Sequence, residues 1–123
     1  MAKKVLIADD EPNILISLEF LMQREGHAVS VARDGDQALA TIRKERPDLV
    51  LLDVMMPGRS GFDVCQAVRA DPDLAGVKIL MLTAKVRDTD LAKGTALGAD
   101  AYVTKPYSTH ELAARVRELL GLA

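Results

Sequence analysis

VLIADDEPN, residues 5–13, runs three aliphatic residues and an alanine straight into three acids and a proline. A short unbroken apolar run bounded by turn-forming residues reads as a strand buried on both faces, from Lys4 to Ala8. Pro12 then stands where the first position of a helix tolerates it. Asp9, Asp10 and Glu11 fall between the two elements. Packed carboxylates at the end of a buried strand repel one another and resist leaving water, so they are costly there unless a cation or a helix end relieves them.

The same alternation continues outward along the chain. Ile14, Leu15, Leu18, Leu21 and Met22 mark one buried helical face, and Gly26 supplies its stop. Ala28 to Ala32 is a second strand. Asp34 or Asp36 can cap a second helix carrying Ala38, Leu39 and Ile42, which must end before Pro47. Leu49 to Leu52 is a third strand, ending in Asp53. After the turn MMPGRSG, Ser60 is placed to cap a helix through Phe62, Val64, Cys65 and Val68, with the loop DPDLAG beyond it. Val77 to Leu82 is a fourth strand. Asp88 to Leu97 can be helical, although Gly94 costs it about 1 kcal/mol against alanine. Ala101 to Thr104 is a fifth strand, and Ser108 with Glu111 has the S-x-x-E spacing of a capping box opening the last helix, with Leu112, Val116, Leu119 and Leu120 facing its core.

Five apolar strands alternating with five helices argue for an α/β fold, a doubly wound parallel sheet covered on both faces. In such sheets the ligand site lies outside the carboxyl ends of the strands. The 123 residues are expected to form a single domain, 1–123, large enough for a real core. The composition, 49% apolar and 28% charged with a formal net charge of -2, gives no electrostatic footprint of a nucleic-acid binder. No apolar run is long enough to span a membrane, and Met-Ala-Lys-Lys leads directly into a strand, so no signal peptide and a cytoplasmic location are expected. The one cysteine, Cys65, is expected in the core, with no chemistry assigned to it.

The strand ends carry the chemistry. Asp9 and Asp10 follow the first strand, Asp53 the third, Thr83 the fourth and Lys105 the fifth, so five polar residues share one rim. Each alone is unremarkable, since acids before a helix favour its dipole and a lone Asp often caps. Together, three converging carboxylates would push at least one pKa up unless a hard divalent cation supplies the missing charge. Magnesium is the economical choice, because it takes oxygen ligands from one or two carboxylates together with a phosphate. The Thr83 hydroxyl and the Lys105 ammonium then suit phosphate oxygens, and Asp53 can attack a phosphoryl group to form an acyl phosphate.

ADDEP at 8–12, LLDVMMPGRSGFDV at 51–64, LTA at 82–84 and GADAYVTKPY at 98–107 together resemble the receiver domain of two-component response regulators, over the whole chain. The resemblance implies a flavodoxin-like sheet of order 2-1-3-4-5 flanked by five helices. It implies Asp53 as phosphoacceptor, with Asp9, Asp10, Asp53 and the Met55 backbone carbonyl holding Mg2+. It further implies Thr83 and Lys105 at the phosphoryl group, a cis peptide before Pro106, and Thr83 with Tyr102 as a switch pair that alters the face formed by the fourth helix, fifth strand and fifth helix. Met55 and Lys85 stand where such domains control water access. The Met55 thioether chain is expected to cover the site, and slow self-dephosphorylation follows.

The implied activity is a phosphorylation-dependent signalling switch, not a conventional enzyme, that assists its own Asp53 phosphorylation and dephosphorylation. Its partners would be a sensor histidine kinase or phosphotransfer protein upstream and a protein target or effector domain downstream, with no direct nucleic-acid or membrane contact. A haloacid-dehalogenase-type phosphatase would need a second acid two residues after the nucleophile, where Met55 stands, and the glycine-rich nucleotide motifs are absent. A constitutive docking module would have no need of all five rim residues. Glu111, Arg115 and Arg117 supply one half of the charge pattern by which winged-helix regulators pair, but Leu91 and Ala101 stand where the partner charges usually are, so a tight homodimer is not expected.

Overall fold

A computed structural model of the chain describes residues 3–83, 98–105 and 107–122. The helix expected over Asp88 to Leu97, together with Lys85, Leu91 and Pro106 with its expected cis peptide, lies outside them. The strands β1 (Lys4–Ala8), β2 (Ala28–Ala32), β3 (Leu49–Asp53), β4 (Lys78–Thr83) and β5 (Ala101–Thr104) form one sheet in the order 2-1-3-4-5, and every neighbouring pair is parallel. Helices α1 (Pro12–Arg24), α2 (Gly35–Glu45), α3 (Gly61–Arg69) and a C-terminal helix (Thr109–Leu119) flank it, with a short 3-10 turn at Pro72–Leu74.

The apolar runs exist because each strand serves two cores at once. Side chains alternate across a strand, so Leu6, Ala8, Val50, Leu52, Ile79 and Met81 pack on the side of α2 and α3, while Val5, Ile7, Leu49, Leu51, Leu80 and Leu82 pack on the side of α1 and the C-terminal helix. All twelve are buried. The edge strand β2 departs from this pattern, with Ala28 and Val31 exposed, because it has a neighbour on one side only. The fourth strand begins at Lys78 and ends on Thr83, one residue later at each end than the apolar run suggests, because the parallel ladder continues to the pair Thr83 and Thr104.

The helix ends follow local chemistry. Pro12 opens α1, and Gly26 turns the chain beyond it with φ of 88°. Of the two acids available before α2, Asp34 is the cap, its carboxylate accepting from the Gln37 N–H at 2.7 Å. The helix ends at Glu45 and Arg46 takes a left-handed conformation before Pro47. Ser60 and Asp63 form a reciprocal capping box at α3, and the Ser108 hydroxyl accepts from the Glu111 N–H at 2.9 Å. Cys65 is buried in the core, where burial pushes its thiol pKa up. His27 follows Gly26 as a buried residue, and neither ring nitrogen has a hydrogen-bond partner among the described residues. Burial holds its pKa below the ordinary value, against the opposing charges of Glu25 and Asp48.

Gly61 couples this scaffold to the sheet rim. Its N–H donates to the Val54 carbonyl at 2.9 Å, and a Cβ there would run into the Asp53 carbonyl oxygen and stand 2.9 Å from the Val54 Cα. Gly61→Ala should therefore destabilise the protein by about 2 kcal/mol, the cost of overpacking against backbone that cannot yield cheaply. Urea unfolding checks this, and unchanged stability would show that the α3 entrance is free to shift.

Candidate functional site

The sheet register assembles the rim. Ala8 pairs with Leu52, so the residues that follow, Asp9 and Asp53, leave the sheet at the same level. Asp53 pairs with Leu82 and Thr83 with Thr104, which sets Thr83 and Lys105 beside them. Backbone bonds continue the register past the strands, from Val54 N to the Leu82 carbonyl at 3.0 Å and from Lys105 N to the Thr83 carbonyl at 2.6 Å.

Asp9 is fully buried, Asp53 and Thr83 are buried, and Asp10 is exposed. Carboxylate oxygens of Asp9, Asp10 and Asp53 all lie within 4.8 Å of one another. The Lys105 ammonium donates to Asp9 Oδ2 at 3.0 Å and stands 3.6 Å from Asp53 Oδ1. The other Asp9 oxygen accepts from the Glu11 N–H at 2.9 Å, while Asp53 Oδ1 accepts a long contact, 3.4 Å, from the Met55 N–H.

Among the described residues, this arrangement leaves negative charge in excess. The pKa of Asp53 is pushed up to about 6, first by burial and then by the Asp9 charge, over the opposing pull of Lys105. Burial works to lower the Lys105 pKa, but its hydrogen bond to Asp9 and the charges of Asp53, Asp9 and Glu11 together hold it above the ordinary value. An all-oxygen donor set of clustered carboxylates, two of them buried, fits a hard divalent cation.

Met55 follows the Asp53 end of β3 and is 75% exposed. Tyr102 lies on β5 with its ring half-buried against the core on the α2 and α3 side. Sequence reasoning missed Tyr107, whose phenol pKa is raised chiefly by burial while also feeling Lys105, Asp9 and Asp53. Its place two residues after Lys105 was the available signal.

An Asp53 carboxylate that is strained by its neighbours should destabilise the metal-free fold. With a folded pKa near 6 against 3.8 for the free group, the folded state holds the proton more tightly, so stability falls as pH rises from about 4 to above 6. Asp53→Asn removes that charge and leaves the Lys105 contact to Asp9 in place. In chelator, its urea-unfolding stability should match wild type near pH 4 and exceed it by about 1–3 kcal/mol at pH 7.5. Equal stabilities at pH 7.5 would refute the crowding.

The family model for the response regulator receiver domain matches residues 5–117. The chain is 48% identical over 120 residues to the DNA-binding response regulator MtrA of Mycolicibacterium smegmatis, covering 98% of this chain and 51% of that protein, so it spans about half the length of that relative. Chemotaxis protein CheY4 of Vibrio cholerae superposes with a TM-score of 0.91 at 33% identity, over 97% of this chain and 99% of that one. The receiver domain of sensor histidine kinase PA1611 from Pseudomonas aeruginosa, solved with a magnesium ion coordinated in its active-site cleft, superposes with a TM-score of 0.89 at 26% identity, over 98% and 99% of the two chains. An acid cluster at the strand ends of a 2-1-3-4-5 sheet and a family match over nearly the whole chain lead to one conclusion: this chain belongs to the response regulator receiver domains, the signalling domains of two-component systems.

Proposed function

We propose that residues 1–123 act as one receiver module in which Asp53 accepts a phosphoryl group from a phosphohistidine on a sensor histidine kinase or phosphotransfer protein. The observation that carries this reading is the convergence of Asp9, Asp10 and Asp53 within 4.8 Å, with the Lys105 ammonium 3.6 Å from Asp53. A carboxylate oxygen of Asp53 attacks phosphorus, the P–N bond of the donor breaks, and the imidazole leaves with its electron pair and takes up a proton. The residues that would hold Mg2+ are Asp9, Asp10, Asp53 and the Met55 carbonyl. Bound there, the ion supplies positive charge to the carboxylates and to the phosphoryl oxygens.

Lys105 and Thr83 serve the transferred group from the neighbouring strands. Lys105 already faces both buried acids, so its ammonium can follow negative charge from the Asp53 carboxylate to the phosphoryl oxygens over a short path. Thr83, buried at the end of β4, is the hydroxyl donor, and Tyr102 on β5 is its partner in the switch. The reading makes the domain a switch that assists its own phosphorylation and dephosphorylation, with a downstream protein or effector domain as its output. It needs no nucleic-acid contact from these residues, and a cytoplasmic site suits a kinase-fed receiver. No helix among the described residues is long and apolar enough to cross a membrane.

Incubation with Mg2+ and acetyl phosphate should add one acid-labile phosphoryl group, read by intact mass, and Asp53→Ala should abolish it. Full labelling of Asp53→Ala would sink the assignment. The same reagents should leave the protein monomeric or weakly associated, since Ala101 replaces a pairing charge beside Glu111, Arg115 and Arg117. Analytical ultracentrifugation with beryllofluoride measures this, and a tight dimer through the β5 and C-terminal-helix face would contradict it.

A further inference from the structure

The segment from Val54 to Ser60, which joins Asp53 to α3, is fastened at its far side to the first turn of α2. The Gly35 N–H donates to the Pro57 carbonyl at 3.3 Å. A Cβ on Gly35 would fall on the Arg59 carbonyl oxygen and come within 2.6 Å of the Arg59 carbonyl carbon, so the two backbones touch with no room for a side chain. The Asp36 carboxylate accepts from Arg59 Nε at 2.8 Å, and its other oxygen would stand 2.8 Å from a Cβ on Gly58, whose φ is 73°. None of these contacts is made by a rim residue, yet all act on the segment that carries Met55.

We propose that Gly35, Asp36 and Arg59 are positioning residues for the metal site, fixing the Met55 segment against α2 and thereby setting the Mg2+ affinity of the Asp9, Asp10 and Asp53 cluster. The inference rests on the reading of Met55 as a backbone ligand. The segment has three anchors near Asp53, the Val54 N–H bond to the Leu82 carbonyl at 3.0 Å, the long Met55 N–H contact at 3.4 Å and the Gly61 N–H bond to the Val54 carbonyl at 2.9 Å. Between Met55 and Ser60, Met56 packs against the core on the α2 and α3 side, and Pro57, Gly58 and Arg59 meet the first turn of α2. A main-chain ligand cannot adjust by rotating a side chain, so its place depends on what holds the backbone.

The two kinds of contact should differ in weight. Arg59 and Asp36 are half or more exposed, with side-chain exposures of 51% and 66%, so their ion pair contributes modestly and yields to salt. Gly35 admits no substitute without moving either α2 or the segment. A charge change at Asp36 also alters the field at the rim, and exchanging the two charges separates that effect from the clamp itself.

The test is Mg2+ titration of the full chain by isothermal calorimetry, with the Met55 amide and methyl shifts followed by NMR. Gly35→Ala should weaken Mg2+ binding about tenfold and shift the Met55 resonances in the metal-free protein. Asp36→Arg should weaken binding more than its charge alone requires, and Asp36→Arg with Arg59→Asp should recover it to within about twofold of wild type. Arg59→Gln, a surface change that leaves the fold intact, should cost about two- to fivefold at low salt and less at high salt. Folded Gly35→Ala and Arg59→Gln proteins with wild-type affinity and unmoved Met55 resonances would overturn the inference while leaving the metal site standing. Absence of Mg2+ binding in wild type would overturn the metal reading and the inference with it.

Discussion

Among the described residues, three carboxylates share one ammonium at the carboxyl end of this sheet, and that imbalance governs the rest of the molecule. Asp9 and Asp53 are brought level by the pairing of Ala8 with Leu52, a register fixed in turn by the alternation of two cores across β1 and β3. A slip of one residue would turn Leu6 and Leu52 to the wrong face, so the acids cannot separate without unpacking the protein. The crowding is therefore built into the fold, and burial first and the Asp9 charge second raise the pKa of Asp53.

The surrounding scaffold is arranged to keep that imbalance from relaxing. Lys105 is tied by its backbone to Thr83 and by its ammonium to Asp9, so it offsets part of the charge without neutralising the site. Gly61 lets α3 approach the Asp53 carbonyl, and Gly35 lets α2 approach Arg59, so the segment between them is held from both ends by close backbone contact. Neither glycine is needed here for an unusual φ. Each is needed because a side chain has nowhere to go.

Much of this was legible in the sequence, for physical reasons that differ residue by residue. The strands could be read because burial on both faces makes VLIA, LVLL and ILML apolar throughout, and the helix entrances because Asp34, Ser60 and Ser108 accept from specific backbone N–H groups while Pro12 has no N–H to leave unpaired. The rim acids could be read because buried carboxylates at strand ends demand a reason. The burial of His27 was not legible, since a histidine after a glycine gives no sign that the chain folds over it. Nor was the clamp between α2 and the Met55 segment, because Asp36 and Arg59 are separated by 23 residues, the first reading as a candidate helix cap and the second as part of a turn. The exposure of Met55 shows the same limit, in that a side chain's neighbours are set by tertiary placement and not by its position after Asp53.

Asp53 stands at the centre of the account, so its ionisation is the most direct measurement. Carbon-13 NMR of the Asp53 carboxyl can follow the titration of the full chain in chelator and again with saturating Mg2+. The account predicts a midpoint near 6 without metal, falling to the ordinary carboxylate range or below once the ion is bound. A midpoint near 4 in chelator, or one that Mg2+ leaves unmoved, would contradict the claim that these carboxylates are crowded in order to hold a cation.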